Sequence, residues 1–292
     1  MTSSRVLARR TAKRLARTIT APTAALRSPP DFVIIGAQRA GTTSLFRYLC
    51  AHPNVVPPVL NKGIHYFDTG YDKGAAWYRS HFPTNAYRAW TRRRTRSEVL
   101  TGEGSPYYVF HPLSPVRISR MLPGARLILM LRDPVSRAYS QYQHEVSRGF
   151  EVLSFEEALE REEERLEGEE DRILRDPTYI SFSHQHHSYV ARGRYAEQIL
   201  RWWEFFPREQ LLVVDSSEFF AHPDRGFRRV LDFLELPPLS LPQYEQLNAH
   251  SYDVMSDHAS VFLRSRFAGP NRELAELLGR ELTWTGAGSD AD

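Results

Sequence analysis

An α/β fold, three layers deep with a central parallel sheet between helices, is what this 292-residue sequence predicts. Three observations carry it. Apolar runs at 32–35 (FVII), 126–131 (RLILML) and 211–214 (LLVV) have the length and branched character of parallel strands buried on both faces. The first two lead at once into segments with apolar residues at helical spacing, and the third is preceded by one. Strands that alternate with helices in this way make a parallel sheet whose ligands sit at the carboxyl ends of the strands.

The elements follow in order. Residues 1–30 form a basic leader, read as flexible and closed by Pro29-Pro30. The first strand stops at Gly36. Thr42-Thr43-Ser44 then opens a helix carrying Leu45, Phe46, Tyr48 and Leu49. The proline-rich stretch AHPNVVPP turns the chain, and Gly74 to Phe82 places Trp77, Tyr78 and Phe82 at helical spacing. Arg92-Arg93-Arg94 with Arg96 is read as a solvated basic face rather than a rim for an anionic ligand. Val99 to Glu103 is expected as a strand. Pro134 opens the helix after 126–131, in the first turn where proline is tolerated. The acidic run 151–171 has a thin apolar stripe and is expected as an exposed helix and turn beside the cleft. Gly193 to Trp203 is a helix, and Pro207 separates it from the last strand. Its Trp202-Trp203-Phe205-Phe206 cluster reads as core. Asn248 to Asn271 is polar, and 286–292 (GAGSDAD) reads as a disordered tail. One domain, 31–285, accounts for the rest.

Composition narrows the class. The chain is 41% hydrophobic and 25% charged, which fits a globular protein with a sizeable core. Cys50 is the single cysteine, so no intramolecular disulfide forms, and a cytoplasmic location is the expectation. The leader holds seven basic residues and no acid, leaving 31 basic against 35 acidic residues in the remainder. It lacks the continuous apolar run of a signal peptide or a membrane span; peripheral contact with an anionic membrane is the alternative to a merely flexible leader. No nucleic-acid module and no metal-ligand cluster is visible.

The chemistry is concentrated in DFVIIGAQRAGTTSL, residues 31–45. A strand, a glycine-bounded loop and a helix N-terminus aim backbone N–H groups at one point, which suits a phosphate. The loop is P-loop-type in spacing, with Gly36 and Gly41 five residues apart, but Thr42 stands where a nucleoside triphosphatase has lysine. That argues against a kinase or GTPase. The cation lies within the loop at Arg39, between Gln38 and Ala40. The pattern resembles the 5′-phosphosulfate loop of sulfotransferases that use 3′-phosphoadenosine 5′-phosphosulfate (PAPS). RLILMLRDPVSRAYSQYQH resembles the same family's 3′-phosphate segment, with Arg132 and Ser140 at the clamping positions. GRYAEQILRWW is similar to a third family helix, which makes Tyr195 a candidate for lining the nucleotide site. The resemblance spans Asp31 to Trp284 and is nearest the branch that sulfonates carbohydrates, including heparan N- and 3-O-sulfotransferases.

The resemblance implies a P-loop-type αβα fold, PAPS as donor and no metal. It assigns Gln38, Arg39, Ala40, Gly41, Thr42, Thr43 and Ser44 to the 5′ end of the donor, and Arg132, Ser140 and Tyr195 to the remainder. Arg39 would stabilise charge on the departing phosphate. It also assigns Asn248 to Asn271 to a PAPS-facing loop. The acceptor motif NKGIHYFD departs from the family, because Gly63 occupies the position of its proposed general base, a glutamate. His65 is the expected replacement, since imidazole accepts a proton near neutral pH. In an extended stretch residues 63 and 65 share a face. Glu103, at another acidic family position, is expected to orient His65 or substitute for it, and Lys62 to meet the sulfate or an acidic acceptor. The implied reaction is in-line sulfuryl transfer to a hydroxyl or amine, with a glycan as partner. A non-catalytic PAPS- or glycan-binding protein and an atypical P-loop kinase are the alternatives.

Overall fold

The computed structural model describes residues 21–59, 61–245 and 254–285. Four parallel strands, β1 (Phe32–Gly36), β2 (Gly102–Gly104), β3 (Arg126–Leu131) and β4 (Leu211–Asp215), lie in the order β2-β1-β3-β4. The register pairs Val33 with both Glu103 and Leu127, and Leu129 with Val213. Every residue of β1 is buried, as a central strand covered on two faces requires. Helices α1 (Thr42–Ala51), α2 (Asn85–Thr95), α3 (Pro134–Ser147), α4 (Tyr195–Trp203) and α5 (Asp257–Leu278) are among those that surround the sheet. The expected α/β architecture is therefore present.

Several boundaries differ from the sequence reading. The strand expected at Val99–Glu103 is β2 at Gly102–Gly104. Residues ahead of it make an isolated bridge, Leu100 with Val55, before the chain reaches the sheet. The helix expected over Gly74–Phe82 ends at Arg79. Residues 21–30 of the expected leader are packed: Ala21–Leu26 form a 3₁₀ turn, buried Arg27 donates to the Phe82 carbonyl, and Ser28 Oγ donates to Asn85 Oδ1 at 2.8 Å. Residues 1–20 and the tail 286–292 lie outside the described residues. So do 248–253 of the expected donor-facing loop, whereas 257–271 belong to helix α5, with Ala259, Leu263, Phe267 and Leu274 turned inward. The acidic run is mostly short helices, Phe155–Glu160 and Glu162–Leu166 among them. Of the aromatic cluster near Trp203, Trp202 and Phe206 are core, while Phe205 is exposed. Among the described residues no helix is long and apolar enough to cross a membrane.

Candidate active site

The loop between β1 and α1 is bent by two left-handed residues, Arg39 (φ 69°) and Gly41 (φ 88°). A side chain at Gly41 would meet the Phe220 ring at 2.5 Å, so glycine is required by conformation and by space. Ala37 N–H donates to the Met130 carbonyl at 2.7 Å and ties the loop to β3. Gly41 is the residue before α1 and gives the helix no side-chain cap, which leaves the helix start open toward the loop.

The distant cations meet here. Arg39 Nε donates to Ser140 Oγ at 3.0 Å, across 101 residues of chain. Arg132 Nη1 donates to the Arg39 carbonyl at 3.3 Å. Tyr195 is buried, and its hydroxyl donates to the Arg132 carbonyl at 2.8 Å, so it holds the turn that carries Arg132. Lys62 completes the group. Its ammonium donates to Thr42 Oγ1 at 3.0 Å and Thr43 Oγ1 at 3.1 Å. A lysine from another segment thus stands beside the position where a triphosphatase loop carries its own. Burial pulls its pKa down to about 7, slightly opposed by Cys50.

Three expected donor contacts take a different form. Ala40 N–H is already bonded to the Ala37 carbonyl at 3.2 Å, and Ser44 is fully buried with its hydroxyl against Tyr48. Thr42 and Thr43 are the loop hydroxyls beside Lys62. Gln38 is gripped from both sides: its amide nitrogen donates to Glu145 Oε1 at 3.3 Å, and its oxygen accepts from Arg192. Arg192 is buried under the rings of Tyr107 and Phe110, and burial lowers its pKa to about 10. Gln38 therefore fixes the loop to the segment before α4. Sequence reading missed Glu145 and Arg192, and no motif marks them.

His65 is in the left-handed region (φ 55°) and is not part of a strand. Its backbone N–H donates to Ser105 Oγ at 3.0 Å, and its Nδ1 lies 2.7 Å from buried Asp68 Oδ2. With Nδ1–H given to Asp68, Nε2 is the ring's proton acceptor. Burial disfavours the imidazolium, but the Asp68 carboxylate, helped by the charge of Glu103, outweighs it and the His65 pKa rises. A Cβ placed on Gly63 would lie 3.4 Å from His65 Nε2. The expected proximity of 63 and 65 holds, through a turn rather than an extended strand.

Glu103 does not take the expected place on the imidazole. It is fully buried and accepts from Ser105 Oγ (2.7 Å), Tyr78 Oη (2.8 Å), Tyr108 Oη (3.1 Å) and Ile64 N–H (3.2 Å). A carboxylate so enclosed is a prop for the turn that carries His65, and it has no face left for an acceptor. Burial raises its pKa, and its four hydrogen bonds partly offset that. Asp68 is the ring's partner instead; the His-x-x-Asp spacing was the available signal. Among the described residues there is no group of His, Cys, Asp and Glu side chains arranged to hold a metal.

The family model for a sulfotransferase domain matches residues 29–266. The chain belongs to the sulfotransferase-domain family. It is similar to the mouse heparan sulfate glucosamine 3-O-sulfotransferase 3A1, at 28% identity over 88% of this chain and 65% of the relative. A membrane-associated sulfotransferase of Dictyostelium discoideum is 26% identical over 87% of this chain and 66% of its own length. The chain thus spans somewhat under two thirds of these relatives. A crystal structure of a sulfotransferase from Alicyclobacillus acidocaldarius superposes with a TM-score of 0.65 at 30% identity, covering 88% of this chain and 98% of that one. The sulfotransferase fold expected from the sequence is borne out.

Proposed function

We propose that this chain transfers a sulfuryl group from PAPS to a hydroxyl or amine of a carbohydrate. One observation carries the reading: Arg39, from the β1 loop, and Arg132 and Ser140, from the segment about a hundred residues on, converge within hydrogen-bond distance at the open end of that loop. A donor with phosphates at both ends needs that combination of guanidinium and hydroxyl groups. The donor set fits such an anion, since Thr42, Thr43 and the Lys62 ammonium add neutral and cationic hydrogen-bond donors.

The proposed roles rest on these contacts together with the family resemblance. Arg39, Lys62 and the threonine hydroxyls face the phosphosulfate end, where negative charge grows on the leaving oxygen as sulfur is transferred. Arg132 and Ser140 hold the 3′-phosphate. His65 Nε2 accepts the acceptor's proton as its oxygen or nitrogen attacks sulfur, and Asp68 stabilises the imidazolium that results. Positioning and electrostatics supply the acceleration. The carbohydrate acceptor is favoured by the similarity to enzymes named for heparan sulfate glucosamine.

Two measurements test this. Calorimetry should show adenosine 3′,5′-diphosphate binding without metal and at least tenfold more tightly than ATP. Labelled sulfate from PAPS should then reach a member of a glycan acceptor panel. Preference for ATP with Mg²⁺ would replace the reading by a kinase. Tight nucleotide binding with no transfer to any hydroxyl or amine would replace it by a binding protein.

A further inference from the structure

We propose that helix α2, together with Arg96, forms a face that seats the protein on an anionic lipid surface, at the end of the sheet opposite the catalytic loops. The position follows from Arg88. Its Nη2 donates to both Asp31 carboxylate oxygens, at 3.0 and 2.8 Å, and to the Val99 carbonyl at 2.8 Å. Asp31 and Val99 precede β1 and β2, so α2 packs at the amino ends of the strands. Arg39 and Arg132 follow the carboxyl ends, about 16 Å away along a five-residue strand. This basic cluster therefore does not line the donor loop.

The chemistry of the face is amphipathic in a particular way. Tyr87 and Trp90 are half exposed and stack on each other with centroids 5.7 Å apart. The Arg94 guanidinium lies over the Trp90 ring at 5.7 Å. Arg92 is paired with Glu98, whereas Arg93 and Arg96 are exposed and have no ion pair among the described residues. Exposed aromatic rings flanked by arginines match the boundary between headgroup and acyl chain: the rings take the interfacial layer and the guanidinium groups take the phosphates. The chain outside the described region adds to this. Residues 1–20 carry six basic residues and no acid. Among the described residues that follow them, Arg27 is anchored on Phe82 and Ser28 on Asn85 at the start of α2. A protein resting on the α2 face directs its catalytic cleft away from the bilayer.

The test uses the full chain without nucleotide, so that it is independent of the sulfotransferase reading. Binding is measured by co-sedimentation with phosphatidylcholine vesicles, with and without phosphatidylglycerol. Binding to the anionic vesicles alone is expected. Each arginine neutralised near such a surface weakens binding about fivefold, so Arg93→Gln/Arg94→Gln/Arg96→Gln should weaken it about 100-fold. Trp90→Ala, read with an unchanged thermal midpoint, should weaken it further, and turnover on a soluble acceptor should stay at the parent value. The proposal is overturned if the triple variant sediments like the parent, which would assign binding to the leader alone. It is equally overturned if the parent ignores anionic vesicles while a sulfated polysaccharide column retains it through the same arginines.

Discussion

Lys62 offers a quantitative handle on the nucleotide site. Burial holds its ammonium at about 7, and the charged form is the one that suits a phosphate beside Thr42 and Thr43. At pH 7 about half of the molecules carry the charge, at pH 8 about one in eleven, and at pH 9 about one in a hundred. When one state binds, the apparent Kd is the intrinsic value divided by that fraction. Affinity for adenosine 3′,5′-diphosphate should therefore fall about fivefold between pH 7 and 8 and about tenfold between pH 8 and 9. The fall levels off once the pH passes the higher pKa that the lysine acquires beside a bound anion. Binding at pH 8 should accordingly take up about 0.9 proton, read by calorimetry in two buffers of different ionisation enthalpy. Lys62→Met should bind more weakly and show neither the slope nor the uptake. If parent and variant lose affinity in parallel, or if no extra proton is taken up, Lys62 does not meet the phosphate and the reasoning fails.

Two further outcomes are expected at the acceptor side. Asp68→Asn removes the carboxylate that raises the His65 pKa, so the acid limb of kcat/KM should move to lower pH, with kcat reduced about 10²- to 10⁴-fold and nucleotide affinity unchanged; an unshifted limb would detach His65 from the chemistry. Glu103→Gln leaves two of the four donors facing an amide N–H₂, and chemical denaturation should register a loss of about 1–3 kcal/mol, with turnover within tenfold of the parent. Full stability with abolished turnover would instead make Glu103 the base.

Much of the fold was legible because buried parallel strands write themselves as apolar runs, and 32–35, 126–131 and 211–214 did so. The loop was legible because glycine and cation spacing is local. What escaped was set by tertiary neighbours. The environment of Glu103 comes from Tyr78, Ser105, Tyr108 and the Ile64 amide, and no spacing rule announces that an acid will be walled in by hydroxyls. Arg192 reaches Gln38 across 154 residues. Lys62 was noticed but not placed, since its distance from Thr42 depends on how the chain turns after α1. The segment 257–271 looked like a polar loop because two faces of α5 are wet. Its inward stripe of Ala259, Leu263 and Phe267, four residues apart, was the overlooked sign.

Gly63 links these features. A glutamate at that position would put a carboxylate beside the His65 ring, since even a Cβ there lies 3.4 Å from His65 Nε2. Glycine gives that space to the imidazole, whose pKa starts higher than a carboxylate's and is raised further by Asp68, making it the stronger base near neutral pH. Burial is the dominant influence on the charge of Lys62, and its pKa falls to about 7. A charged Lys62 opposes protonation of His65. In the proposed roles, donor capture, which wants the ammonium, and proton abstraction, which is eased by the free amine, pull in opposite directions across neutral pH.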